Sequence, residues 1–130
     1  MSIEDYFDSV RCLIEECPAV DTFDIQCNKR HTYEGYLRIR ICFVDNSELH
    51  VREYVDVEGF IERVLHAYHY MDGQKNTIFR YDNAKHHSHK GLSTYPDHRH
   101  KGNKETVEES TAPDLDEVLA EVRKHLRFPR

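Results

Sequence analysis

The feature that most constrains the fold is a change in the spacing of apolar residues along the chain. In residues 3–14 they recur every three or four positions, which predicts an amphipathic helix beginning after the N-cap candidate Ser2 and ending before Pro18. Between residues 22 and 82, apolar and polar residues alternate, which is typical of strands with one buried face. Residues 113–127 return to helical spacing and predict a C-terminal helix.

The alternating region predicts four or five mostly antiparallel strands. One strand covers residues 22–27, and residues 36–56 form a hairpin around the turn sequence DNSE. A second hairpin joins the second half of residues 60–71 to residues 77–82 through the loop DGQKN. We therefore predict one α+β domain, residues 1–130, with the N-terminal and C-terminal helices packed on one face of the sheet.

The register of this second hairpin decides which side chains the uncovered sheet face displays. If Met71 pairs with Thr77, one face carries a mixed polar and aromatic set: His66, Tyr68, Tyr70, Arg80 and Asp82. The other face then carries a set that suits a core, with one histidine as its exception: Leu65, Ala67, His69, Met71, Phe79 and Tyr81. A register shift of one residue would move these sets to opposite faces.

A histidine-rich segment without apolar periodicity, residues 84–104, separates the strands from the last helix. The sequence RYDNAKHHSHKGLSTYPDHRHKG, residues 80–102, holds five of the ten histidines. The net charge of −6 argues against nonspecific nucleic-acid binding by the chain as a whole, but this stretch is its basic island. Long loops without secondary structure are usually functional or disordered, so we expect a functional loop here.

Three kinds of chemistry suit this loop. Its imidazoles could bind zinc, and a short strand would present His98 and His100 on one side, but no cysteine lies nearby and only Asp82 and Asp97 supply carboxylates. Imidazoles also suit metal-independent RNA cleavage, where one takes the proton of a 2′-hydroxyl and another protonates the leaving oxygen. The third is a non-catalytic basic loop that binds an acidic partner.

We favour RNA cleavage and assign roles on that basis, without a metal or other cofactor. The catalytic candidates are His69, Arg80, Asp82, His98 and His100. The candidates for substrate binding, with exposed tyrosines stacking on bases, are Tyr68, Tyr70, Lys85, His86, His87 and Arg99. Purely structural roles are the alternative for some of them, since Arg80 and Asp82 can form a surface ion pair and His69 can be a core histidine.

Several sequence elements together resemble a known family. YHYMD at 68–72, IFRYDNAKHH at 78–87 and LSTYPDHRH at 92–100 precede an acidic spacer and a final helix. Over residues 35–127 this combination resembles the TumE-like family of small toxins from prokaryotic toxin–antitoxin systems. Lys85 stands where the family pattern has proline, and Asp97 stands where histidine is common. Neither difference removes a candidate acid or base.

The resemblance implies a type II toxin that inhibits growth and whose partner is a cognate antitoxin, often a helix-turn-helix DNA-binding protein. The endoribonuclease activity and its RNA substrate are our inference from the residues. The alternatives are a non-catalytic partner-binding module and a zinc-dependent nuclease that uses the same histidines. A homodimer stays open.

The sequence also predicts a cytoplasmic protein without a membrane partner. No run approaches the roughly 18 apolar residues of a membrane span, and the acidic start MSIEDYFDSV lacks the features of a signal peptide. The four cysteines form no CxxC pair, and we expect them to be mostly buried and reduced.

Overall fold

The computed structural model describes residues 1–85, 91–102 and 107–127. Its elements are, in chain order, α1 (Ile3–Glu15), β1 (Val20–Lys29), β2 (Glu34–Phe43), β3 (Glu48–Asp56), β4 (Glu62–Met71), β5 (Thr77–Asp82), β6 (His98–Lys101), β7 (Val107–Glu109) and α2 (Leu115–His125). The strands form one antiparallel sheet in which each pairs with its neighbours in sequence. The α+β prediction is confirmed.

The predicted strand number was too low, because the residues that the structure describes already form a sheet of seven strands. The two missed strands, β6 and β7, have four and three residues and lie in or just after the segment predicted to be a loop. Strands this short show little apolar alternation, so a short strand at HRHK was considered only as a way to present His98 and His100 on one side.

Both helices begin with a capping box, as their sequences suggest. Ser2 and Asp5 exchange side-chain to backbone hydrogen bonds at the start of α1, and Asp114 and Glu117 do the same at the start of α2. The apolar stripes of the helices join the inward side chains of the strands in one buried cluster. The helices therefore cover one face of the sheet, and the opposite face is called the open face below.

The α1 helix lies very close to β2 at Gly35. A methyl group built on this residue would lie 2.6 Å from Phe7 Cζ and 2.7 Å from Ile3 Cγ1. Only a glycine lets the helix approach the strand this closely without displacing those side chains.

The β4–β5 pairing corrects the predicted register. Met71 does pair with Thr77, but the register shifts directly before it, so that Tyr70 pairs with Phe79 and Tyr68 with Tyr81. The extra residue is Ile78 on β5. The four paired aromatic side chains consequently lie in the core, and the predicted face that mixed tyrosines with arginine and aspartate was wrong.

A buried carboxylate organises the polar part of the core. Glu53 Oε1 accepts a hydrogen bond of 2.5 Å from the Tyr6 hydroxyl, and Oε2 accepts one from Tyr68. Arg63 donates to the Tyr68 hydroxyl and to the carbonyl oxygen of Pro113, which ties β4 to the start of α2. Burial raises the pKa of Glu53 despite these donors.

Two further predictions concern the cysteines and membranes. All four cysteines are free, but Cys12 and Cys27 are exposed, so the expectation of mostly buried thiols was wrong. Among the residues described, no helix is long and apolar enough to cross a membrane.

Candidate functional site

The open face brings together the polar residues of β5 and β6. Asp82 pairs with His98 and Arg80 pairs with His100, so these four side chains project from the same side of the sheet. His69 pairs with Arg80 from the other neighbouring strand, β4. All five predicted catalytic residues thus lie on one surface, which we call the histidine cluster.

Asp82 is the centre of the histidine cluster. Its Oδ1 lies 2.7 Å from His98 Nε2 and accepts a 3.0 Å hydrogen bond from the backbone N–H of Ala84. Its Oδ2 accepts a 3.0 Å hydrogen bond from Arg80 Nε and lies 3.8 Å from His100 Nε2. One buried carboxyl group therefore contacts or faces three basic side chains.

His98 has a fixed orientation and is almost inaccessible. Its Nδ1 lies 2.9 Å from the carbonyl oxygen of Pro96, and its ring is 1% exposed. Its Nε2 faces the Asp82 carboxylate, so the ring lies between that carboxylate and the carbonyl oxygen of Pro96. Burial prevents direct contact with a macromolecular substrate in this conformation and indicates a positioning function.

His100 and Arg80 are the accessible members around Asp82. The His100 side chain is 26% exposed, and its ring centroid lies 5.0 Å from that of His98. The Arg80 side chain is 45% exposed, with Nε bound to Asp82. The planar guanidinium is therefore anchored through Nε, while much of the side chain remains exposed.

His69 is half-buried beside this pair rather than in the core. Its Nε2 lies 2.7 Å from Thr77 Oγ1. Burial, followed by the nearby positive charge of Arg80, lowers the pKa of His69 below its ordinary value of 6.5. The lowered pKa favours the neutral ring, which is the form that can accept a proton.

Three substrate-binding predictions disagree with the structure. Tyr68 and Tyr70 are 0% exposed and cannot stack on RNA bases, because the β4–β5 register turns them toward the helices. Arg99 lies on that same helix-covered side, where it pairs with Glu108 at 2.5 Å and with Glu121 on α2 at 2.8 Å. Its place between β7 and α2 indicates a structural role.

The remaining substrate-binding predictions fall in and beside the segment after β5. Lys85 is exposed and is the last residue of the described range 1–85. His86 and His87 lie outside the described residues.

Sequence reasoning missed a second group of basic residues on the open face. Arg38, Arg40, His50 and Arg52 line a shallow depression of about 250 Å³ between β1 and β3. Counting charges along the chain hides this group, because alternate residues of each strand point to opposite faces. The alternation in LRIRICF on β2, with arginines at every second position, was the available signal.

The histidine cluster also has the composition of a metal site. One ligand atom from each of Asp82, His98 and His100 lies within 4.8 Å of the others. Two imidazoles and one carboxylate are a common ligand set for zinc, and a carbonyl facing the second nitrogen of His98 would orient such a ligand. The donor set therefore fits a divalent transition metal.

Comparison with known proteins identifies the family. A family model described as Toxin TumE matches residues 10–126 of the 130-residue chain. The chain belongs to the TumE toxin family. This confirms the resemblance carried by the YHYMD, RYDNAKHH and PDHRH sequences. No curated protein and no solved structure matches the chain.

Membership of the TumE family makes the chain a toxin of a toxin–antitoxin system, and it implies an antitoxin partner. The matched region includes all the described strands, the last six residues of α1 and the whole of α2. The histidine cluster therefore lies within the part of the chain that defines the family.

Proposed function

We propose that this TumE family protein is an endoribonuclease that inhibits growth by cutting RNA without a metal ion. The observation that carries the proposal is the arrangement His69–Arg80–His100 on three adjacent strands of the open face. Adjacent strands lie about 4.8 Å apart, so the two imidazoles flank the guanidinium at roughly 10 Å from one another. A phosphodiester bound to Arg80 would have an imidazole on each side.

The proposed reaction is an in-line transphosphorylation. Neutral His69 removes the proton of the 2′-hydroxyl, and the 2′-oxygen attacks the adjacent phosphorus. The bond from phosphorus to the 5′-oxygen breaks, and protonated His100 gives its proton to that oxygen. The products are a 2′,3′-cyclic phosphate and a free 5′-hydroxyl, so the atoms and protons balance.

Arg80, Asp82 and His98 support this reaction without exchanging protons with the RNA. Arg80 offsets the negative charge that builds on the phosphoryl oxygens. Asp82 holds Arg80 through Nε and lies near His100, and buried His98 fixes the position of Asp82. His98 is thus a positioning residue in this scheme, while His69, Arg80 and His100 are the catalytic residues.

Growth and cleavage assays test the proposal. Induced expression should arrest growth, and the purified protein should cut single-stranded RNA in the presence of a chelator. His69→Ala, Arg80→Ala and His100→Ala should each lower kcat/KM by at least about 100-fold. His98→Ala should lower kcat with little change in KM, because it disturbs the orientation of Asp82.

Matched control variants come from residues remote from the site. His31→Ala and Arg11→Ala each remove an exposed basic side chain and should leave cleavage unchanged. The proposal fails if purified wild-type protein does not cut RNA, or if the three catalytic variants cut it as fast as wild type does.

The second candidate function is a zinc-dependent nuclease that uses Asp82, His98 and His100 as ligands. It is supported by the close approach of their ligand atoms. Zinc would polarise a phosphoryl oxygen or supply a bound hydroxide. Stoichiometric zinc that survives dialysis of untagged protein, together with loss of cleavage in chelator, would favour this mechanism. Chelator-insensitive cleavage would exclude it.

A non-catalytic module that only binds its partner is the remaining alternative. It predicts growth arrest without RNA cleavage, and arrest that persists in Arg80→Ala and His100→Ala if the partner binds elsewhere. RNA cleavage by the purified protein, measured beside growth assays of these variants, separates this alternative from the nuclease.

We expect the antitoxin to be a helix-turn-helix DNA-binding protein and the complex to reside in the cytoplasm. Co-expression followed by purification of the complex identifies the partner, and light scattering of the free toxin tests whether it forms a homodimer.

A further inference from the structure

The open face carries a row of basic side chains that leads to the histidine cluster. Arg40 on β2 pairs with His50 on β3, and His50 pairs with His69 on β4. The row then continues through Arg80 and His100, as described above. Directly paired residues of antiparallel strands project from the same face, so five adjacent strands contribute to one line. At about 4.8 Å per strand, the line is about 19 Å long.

A second, parallel row begins on the same face, two residues further along the same two strands. Arg38 on β2 lies directly opposite Arg52 on β3. Like charges placed directly opposite one another destabilise a sheet, so this pair contributes nothing to holding the strands together. A surface that retains such a pair in a chain of net charge −6 is suited to a polyanionic ligand.

The charges on this surface are only partly neutralised by acids. Arg40 is bound to Glu48, which also pairs with Lys75, and Asp24 lies opposite Arg40 on the edge strand β1. Among the described residues, neither Arg38 nor Arg52 forms an ion pair.

His50 reports the resulting positive field. Burial, followed by the positive charges of Arg40, Arg38 and Arg52, lowers the pKa of His50. All three arginines therefore act on one position, which lines the depression and pairs with His69.

Aromatic side chains lie beside the arginine pair. Tyr36 pairs with Tyr54 on the same two strands, two residues beyond Arg38 and Arg52. Both tyrosines are half-buried. Their place in the alternation puts them on the open face. Arginines beside accessible aromatic rings are the combination that binds single-stranded nucleic acid, through phosphates and through stacked bases.

We infer that the surface formed by Tyr36, Arg38, His50, Arg52 and Tyr54 is a binding site for single-stranded RNA next to the site of cleavage. It holds the nucleotides that flank the scissile phosphate, so that the strand crosses the sheet from β2 toward β6. Arg38 and Arg52 contact phosphates, and Tyr36 and Tyr54 stack on bases. The inference rests on the proposed ribonuclease function and extends it to the substrate class, an extended single strand.

The test compares short and long RNA in a variant that lacks the arginine pair. Arg38→Ala combined with Arg52→Ala should cut a dinucleotide at the wild-type rate, because the dinucleotide reaches only the histidine cluster. For a single strand of about 12 nucleotides, the variant's KM should rise at least tenfold. The His100→Ala background permits binding without cleavage. In this background, the negative slope of log affinity against log salt should become shallower by about 1.4, because two phosphate contacts are lost.

The matched control removes the same charge from the other side of the molecule. Arg11→Ala combined with Arg123→Ala alters two exposed helix residues and should leave both the KM and the salt slope unchanged. Arg38→Lys combined with Arg52→Lys keeps the charges and should restore the salt slope. Thermal unfolding of each variant shows that it is folded.

The possible outcomes separate this inference from the proposed function. If the double variant Arg38→Ala, Arg52→Ala has a lower affinity than wild type for RNA, and wild type binds this RNA without cutting it, the binding site is supported and the ribonuclease function is wrong. If wild type cuts long RNA and the double variant has the same KM and the same salt slope as wild type, the binding site is wrong and the ribonuclease function is supported. If the double variant binds RNA as wild type does but binds the antitoxin more weakly, the surface recognises a protein and the inference is overturned.

Discussion

Asp82 shows how a single residue can connect a strand to a candidate site. It lies at the last position of β5 and faces His98 across the β5–β6 ladder. Its two oxygens contact different neighbours, so it orders the arginine on its own strand and the histidine on the next. The ion pair with Arg80, which the sequence analysis gave as a structural alternative, is present, but it is part of a larger arrangement around the buried Asp82.

The pH dependence of cleavage should reveal the state of His69. Because burial and Arg80 lower its pKa, His69 stays neutral to a pH below 6.5 and becomes protonated only under more acidic conditions. The acidic limb of the kcat/KM profile of wild type should therefore lie below pH 6.5. The residual activity of His69→Ala should lack this limb, whereas His31→Ala should retain it. An identical acidic limb in His69→Ala would show that another group is the base.

The buried carboxylate of Glu53 should be important for stability. In Glu53→Ala, the hydroxyls of Tyr6 and Tyr68 lose their acceptor in the core, and we expect the free energy of unfolding to fall by about 3 kcal/mol. Tyr6→Phe removes only one hydrogen bond and should cost about 1 kcal/mol. Urea denaturation followed by circular dichroism measures both values. Equal stability of Glu53→Ala and wild type would contradict this account of the core.

The same carboxylate gives stability a definite pH dependence. Its pKa is raised in the folded state, so folding favours the protonated form. The contribution of Glu53 to the free energy of unfolding is therefore fully present below the pKa that Glu53 has in the unfolded chain. It is lost as the pH rises through the higher pKa that Glu53 has in the folded protein. Glu53→Gln, which cannot ionise, should show a smaller loss of stability over that pH range.

At the scale of elements, the contact between α1 and β2 depends on the absence of a side chain at Gly35. Gly35→Ala should force Phe7 and Ile3 to move and lower the free energy of unfolding by about 2 kcal/mol. Gly59→Ala is the matched control, since a methyl group there would meet nothing within 4 Å. Thermal unfolding of both variants measures the difference. A neutral Gly35→Ala would mean that α1 can shift away from the strand without loss.

Some elements could be predicted from the sequence because their signals are local. Ser2 marks the start of α1 through its capping box, and the alternation in residues 36–56 specifies the β2–β3 hairpin. The β4–β5 register could not be predicted, because a single extra residue, Ile78, shifts the pairing and leaves no mark in the hydrophobic pattern.

The candidate site was predictable only in part for the same reason. The residue types of Arg80, Asp82, His98 and His100 indicated acid–base chemistry, but the pairing of Asp82 with His98 depends on β6, a strand too short to recognise. The burial of Tyr68 and Tyr70 depends on the shifted register. Surfaces built from alternate residues of several strands become visible only when the strand order is known.

At the scale of the whole molecule, the structure separates two tasks between the faces of one sheet. The helix-covered face holds the apolar cluster and the buried carboxylate that stabilise the fold. The open face holds the histidine cluster and the basic rows. The net charge of −6 is a sum over both sides and so says little about the surface that would meet RNA.

The strand order has a consequence for synthesis of the chain. Since each strand pairs with the one made just before it, the sheet can assemble progressively as the polypeptide leaves the ribosome. Residues His98 and His100 belong to the penultimate strand, and α2 follows them. A nascent chain that ends before β6 therefore lacks two of the five residues of the histidine cluster, and the site is complete only after β6 has been made.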